Sequence, residues 1–394
     1  MNRLIINRLI LIPKRKYHLT QTRFNSKKYY KVTNETETHY GFKYHDGLNI
    51  LKEPFNEIGS CVSGGLYFTN LKNISNFYDY GCHIREVTLA TENPDFKMVT
   101  DEKKYRANMI ILGKKYYLSD YRTYQELAID IPDNILSLAA KYGNIATLNW
   151  WLSSGLELNH DYIIDLASEK GHINILNWWL ASGLELKYSE NSIDYASQNG
   201  YINVLNWWLT SGLELKYSKN SMDSALEKGH INVLNWWLAS GLELKYSESS
   251  IDYASEEGHI NVLNWWLTSG LELKYSENSI DYASQNGYIN VLNWWLTSGL
   301  ELKYSEYAMD TLICDSDIKL LDWWLASGLE LKYSNDAMDY ATRICDIEIL
   351  NWWLNSGLEL KYSKNILFKV SKYYLPELTN WWLNSGLEII YYNE

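Results

Sequence analysis

The sequence predicts a mainly α protein: a helix-turn-helix solenoid of about nine units, preceded by a small α+β domain. Three observations predict it. All 18 tryptophans stand in Trp-Trp pairs, which begin at Trp150, Trp178, Trp207, Trp236, Trp265, Trp294, Trp323, Trp352 and Trp381. The pairs are 28 residues apart once and 29 apart seven times, and a fixed period of this size marks units that bury their apolar faces only against neighbours. Upstream of about residue 130 the period is absent, and short β-prone runs replace it. With 46% apolar and 21% charged residues the chain has a globular balance, which excludes disordered, collagen-like and coiled-coil classes.

The first segment, 1–28, reads as a basic, disordered leader. No acid precedes Glu35, and Arg3, Arg8, Lys14, Arg15, Lys16, Arg23, Lys27, Lys28 and Lys31 give residues 1–34 a charge of +9. Leu9 to Ile12 is the longest apolar run here, far short of the roughly 20 residues a membrane span needs, so no membrane role is expected. The leader has the look of an organelle transit peptide, with Pro13 ending any helix early. Cytoplasm remains the expected location, in keeping with four cysteines at scattered positions. From residue 35 onward 27 basic face 48 acidic residues, or −21, which disfavours nucleic acid as a partner.

Residues 29–130 read as a small α+β domain of unknown function. Strands are expected at Thr38 to Tyr44, Leu66 to Thr69, Ile84 to Leu89, Phe96 to Val99 and Ala107 to Leu112, and a helix over Leu71 to Tyr80. Its titratable set, His39, His45, Asp46, Cys61, Cys82 and His83, contains no Cys-x-x-Cys or other metal spacing. Cys61 with His83 as nucleophile and base is a weak pattern, because nothing fixes their separation. Gly64-Gly65 lacks the Gly-Lys-Ser/Thr of a phosphate loop.

The array, 131–394, follows from one unit, Ser192 to Ser218. Ser192 is a helix N-cap, and Gly200 can take the left-handed conformation that ends a short first helix. A second helix runs from about Ile202 to Ser211, and Gly212 ends it, as Gly241, Gly270 and Gly299 do in other units. At 100° per residue Ile202, Val204, Leu205, Trp207, Trp208 and Leu209 span an apolar arc of about 220°, so this helix is expected to be packed on several sides. The second tryptophan of each pair, Trp208, Trp237, Trp266 and Trp295 among them, reads as core. Burying roughly 150 to 250 Å² is worth about 4 to 6 kcal/mol as an upper bound. The first tryptophan lies at the edge of the arc.

Repeated polar residues read as structural. His172, His230 and His259 recur at one position, but stacked helices sit about 8 to 10 Å apart, too far for nitrogens sharing one zinc. The same spacing removes the ladder Asp165, Asp194, Asp223, Asp252, Asp281, Asp310 and Asp339 as paired catalytic acids, and leaves these as helix-start residues. Cys314 and Cys345 read as small buried hydrophobes. The last three units diverge. The Gly200 position becomes Ser316, Cys345 and Tyr374, so altered inter-helix turns are expected, and the Asp194 position of the final unit becomes Phe368, as in a cap.

These residues resemble the ankyrin repeat. Gly229-His230-Ile231 sits where that repeat has Gly-His and a hydrophobe between its helices, and Ile193 and Ala196 match the Leu and Ala of its first helix. Val204, Leu205, Trp208, Leu209 and Gly212 match its second-helix core and terminal glycine. Asn191-Ser192 replaces the Thr-Pro start, Asp194 replaces the His, and four residues are missing where a β-hairpin finger would project. With the Trp-Trp signature and the period, the chain is similar to the ankyrin-repeat proteins of giant DNA viruses of the mimivirus kind.

The resemblance implies a non-enzymatic scaffold that binds a protein partner, of host origin given the viral likeness, on a concave face of first helices and connectors. Tyr195, Gln198, Lys216, Tyr253, Tyr282 and Gln285 are the candidate contacts. No catalytic residue, cofactor or metal is expected, and the chain is expected to be a monomer in the host cytoplasm. The alternatives are a structural or virion-associated repeat protein, and an array that targets an enzymatic N-terminal domain.

Overall fold

The computed structural model describes residues 28–58, 61–101, 103–157, 161–247, 249–310, 317–366 and 376–390. Most of the leader therefore lies outside the described residues, as do Cys314, Ser316, Phe368, Tyr374 and the chain's last four residues. The chain divides into two compact units between Ile131 and Pro132.

The N-terminal unit is built on an antiparallel sheet. Its strands are β1 (Tyr29–Thr33), β4 (Gly47–Ile50), β5 (Leu66–Asn70), β6 (His83–Leu89), β7 (Met98–Asp101), β8 (Lys104–Ala107) and β9 (Met109–Tyr117), in the order β4-β9-β6-β1-β5-β8-β7. A small hairpin, β2 (Thr38–His39) with β3 (Phe42–Lys43), stands apart. A 3₁₀ helix follows β5 over Leu71–Tyr80, started by Asn70, whose side chain accepts from the Asn73 N–H. An α-helix covers Tyr121–Leu127. Tyr29, Tyr44, Leu66, Phe68, Val87, Ala107, Ile110 and Leu112 form the core on one face of the sheet. Strands β1, β4 and β8 are additions to the sequence reading; each is short and carries a charged or polar residue that hides its alternation.

In the array, each unit is a first helix, a tight turn, a second helix and an extended connector. Two successive units show the pattern: Asn191–Gln198 with Ile202–Thr210, then Asn220–Glu227 with Ile231–Ser240. Among the described residues the connectors contain no strand, in keeping with the missing finger. Gly200 at φ +77° makes the inter-helix turn, and a Cβ there would meet the His230 ring of the next unit at 3.3 Å. Gly212, at φ +76°, has open space around it and is needed for its backbone alone.

Four expectations need correction. Ser192 is not an N-cap: Glu190 holds that place, and Ser192 lies inside the helix and donates its hydroxyl to Asp165 of the preceding unit. Leu209 is 39% exposed, and so are its counterparts Leu152, Leu180, Leu238, Leu267 and Leu325 to similar degree, so the second helix is solvated along one edge. A helical wheel gives the width of an apolar arc but not which margin of it a neighbour covers. Cys345 is only half-buried, and it holds the left-handed turn at φ +63° with the bonds a glycine unit makes: Cys345 N–H to Thr342 O and Asp346 N–H to Ala341 O. That turn is therefore unaltered. Asp346 then caps the second helix by accepting from Ile349 N–H at 3.0 Å.

Candidate functional site

The surface of the array is set by ladders that join each unit to the next. The deepest is hydrophobic: Trp208, Trp237, Trp295 and Trp324 are each about 1% exposed or less. Each must still satisfy an indole N–H. Trp208 donates to Ser168 Oγ, Trp237 to Ser197 and Trp295 to Ser255, all at 3.1 Å, and Trp324 donates to Ser284 at 2.8 Å. Every one of these serines lies 40 residues upstream, on the first helix of the preceding unit. Where Leu226 takes the serine's place, the buried Trp266 Nε1 has no partner.

A second ladder runs through the aspartates. Asp194 is buried; its Oδ1 accepts from Ser218 N–H at 3.0 Å and its Oδ2 from the Ser218 hydroxyl. Asp165 does the same with Ser189, Asp252 with Ser276, Asp281 with Ser305 and Asp310 with Ser334. These are helix-start residues that also fasten the connector leading into the next unit. Burial pushes the Asp281 and Asp310 carboxyls above the usual carboxylate range, and the serine bonds oppose that shift.

The first tryptophans Trp207, Trp236 and Trp294 are half-buried and Trp265 is buried, and the indole N–H of each bonds to the preceding unit: Trp207 to Asn177 at 2.7 Å, Trp236 to Asn206 at 2.8 Å, Trp265 to Asn235 at 2.9 Å and Trp294 to Asn264 at 2.9 Å. Asn206, on the polar strip of its helix, is thus an acceptor for its neighbour. Along the connectors, the Tyr188 ring lies 4.8 Å from that of Trp208, its hydroxyl donates to Glu214 O, and Lys216 Nζ stands 4.7 Å above it. The same lysine-on-tyrosine stack recurs at Lys245 on Tyr217 and at Lys303 on Tyr275.

With the ladders absorbing these side chains, the candidate contacts divide. Tyr195, Tyr253 and Tyr282 are 38%, 37% and 36% exposed at one position of the first helices. Gln198 and Gln285 end those helices, half-buried. Lys216 belongs to the connector stack, on a different element of the unit. Gly241, Gly270 and Gly299 all sit at the left-handed ends of second helices, like Gly212. His172 Nε2 donates to Lys141 O, 2.9 Å away, and the ring packs on the Gly143 turn. Among the described residues no group of His, Cys, Asp and Glu has the geometry to hold a metal ion. Cys61 lies beside Lys104 of β8, whereas His83 of β6 is two strands removed and faces Glu37 and Tyr117. Three strand spacings of about 4.8 Å separate β6 from β8, so the two do not form a nucleophile-base pair. No described helix is long and apolar enough to cross a membrane.

Helix pairs stacked through left-handed glycine turns, with extended connectors and inter-unit caps, define an ankyrin-type solenoid. No family model matches the chain. An uncharacterised protein of Acanthamoeba polyphaga mimivirus is 54% identical over 111 residues, covering 27% of this chain and 80% of that relative. Two ankyrin repeat proteins of the same virus are 45% identical (31% of this chain, 64% of the relative) and 42% identical (32% and 41%). The chain thus spans less than two thirds of the length of these two. A human ankyrin repeat domain of known structure is 16% identical with a TM-score of 0.38, covering 47% of this chain and 96% of that domain. One from Acinetobacter baumannii is 18% identical with a TM-score of 0.33, covering 43% and 100%. Homologues of the chain are thus ankyrin-repeat proteins of the mimivirus, and the ankyrin repeat is a general protein-interaction module.

Proposed function

We propose that the chain is a non-enzymatic scaffold whose array binds a protein partner, a host protein, on the face carrying Tyr195, Tyr253 and Tyr282. The carrying observation is the contrast between satisfied and exposed side chains. Indoles, aspartates and connector tyrosines are held between units, whereas these three tyrosines stand in solvent on rigid helices. Exposed tyrosine offers a large contact area with only two rotatable side-chain bonds to freeze, and a preformed surface avoids most of the ordering cost of binding. The protein acts as a monomer in the host cytoplasm.

A second reading rests on the solvated edge of the second helices, where Leu152, Leu180, Leu209, Leu238 and Leu267 repeat once per unit as an exposed apolar stripe. Photo-crosslinking amino acids placed at Tyr282 and, separately, at Leu238 in the full chain distinguish the two in host lysate. A defined adduct from position 282, lost when Tyr195 and Tyr253 are changed to alanine, is the expected result. Adducts from position 238 alone transfer the site to the leucine edge, and none from either removes the binding role.

A further inference from the structure

We propose that the N-terminal unit holds a second, independent binding site: a cavity of about 670 Å³ that takes a small flat aromatic ring bearing one acidic group, with Lys31 as its anchor. The volume lies within the range of small-ligand sites. The Lys31 side chain lines the cavity, yet the residue is only 5% exposed. Its ammonium donates to Tyr67 O at 2.9 Å and sits 4.4 Å from the Tyr44 ring centroid. Among the described residues no carboxylate pairs with it, although buried ammonium groups are ordinarily paired. Glu37 is committed to Arg85 at 3.1 Å and Lys115 at 2.8 Å.

The rest of the wall sets the ligand's character. Lys52 and Lys104 also line the cavity against a single acid, Glu53, which is occupied in accepting from Gly64 N–H. A basic cavity in a chain of net charge −12 is complementary to an anion. Phe42, Tyr44, Phe77 and Tyr80 supply aromatic rings to the same space, suited to stacking a flat ring. His39 contributes no charge, because burial holds its imidazole down to about 4. Burial likewise pulls the Lys31 amine down to about 7 in the empty cavity, so a bound acid would draw a proton onto it.

The test uses the full chain with three probes: 2-naphthoate, 2-naphthyl phosphate and the neutral 2-naphthamide. Calorimetry at pH 8 in buffers of different ionisation heat is expected to show at least one acid binding tenfold or more tighter than the amide, with proton uptake. Whichever acid binds tighter identifies carboxylate or phosphate as the natural group. In Lys31→Met the preference for the acid disappears while the amide still binds. Equal binding of acid and amide, an acid preference unchanged in Lys31→Met, binding without proton uptake, or no binding of any probe at millimolar concentration would overturn the proposal. Proton uptake is read on the unaltered protein, so it decides even if the variant folds poorly.

Discussion

The array and the N-terminal unit treat buried polar groups differently. In the array a polar group is solved once and copied: Asp194 meets Ser218 24 residues on, Trp237 meets Ser197 40 residues back, and both bonds recur along the stack. The N-terminal sheet has no such repetition, and it buries Lys31 without a carboxylate and, separately, the Arg85–Glu37 pair, each arrangement made for one place. A periodic sequence thus removes most of its unpaired groups by copying one satisfied arrangement, and a copy that departs from the pattern, as at Leu226, leaves a gap. A unique sheet can retain an uncompensated charge where something else requires it.

The largest effect that sharpens this contrast is expected from Trp237→Ala. Removing a fully buried indole costs about 3 to 5 kcal/mol, and in a stack of units the loss is local. Hydrogen exchange should rise in the flanking units and leave β1 and β6 unchanged; uniform destabilisation of the chain would break the division between the two regions.

The Lys31 effect is next. Its folded value near 7 lies below that of an unfolded lysine, so between about pH 7 and 10 the native state binds fewer protons than the unfolded one. Stability of the N-terminal unit therefore rises with pH across that window, by at most about 4 kcal/mol at 1.4 kcal/mol per unit. Lys31→Met should abolish the rise and be the more stable protein at pH 7. Because every tryptophan lies in the array, fluorescence follows the array alone, and hydrogen exchange in β1 reads this unit.

The smallest effect tests a single bond. A double-mutant cycle of Ser197→Ala with Trp237→Phe should return a coupling of about 1 kcal/mol, measured by urea denaturation. The matching cycle of Leu226→Ala with Trp266→Phe has no hydrogen bond to lose, and any polar coupling there would contradict the assigned partners.

What could be read from the sequence follows the range of each interaction. The period, the helix pairs, the turn glycines and the buried second tryptophan are local signals within one unit. The Asp194–Ser218 and Trp208–Ser168 bonds join residues 24 and 40 apart, and nothing at either end marks its partner. Tyr195 was legible as a candidate because its position on the first helix is local, whereas the engagement of Lys216 with Tyr188 was not. The cavity around Lys31 has no signature in the sequence for a related reason. In sequence Lys31 reads as the last charge of the basic run over residues 1–34, and only its place in the centre of the sheet makes it buried.

The identity of Ser192–Ser218 with Ser279–Ser305 has a consequence for how such a chain changes over time. Because every inter-unit bond spans a fixed offset, excision or duplication of one whole period rejoins Asp to Ser and Trp to Asn in the same relation as before. Unequal exchange between identical stretches would lengthen or shorten the array without leaving a broken junction. The number of units is therefore open to drift, and exchange between these two stretches, which lie three units apart, alters the reach of the tyrosine-bearing face in steps of three units.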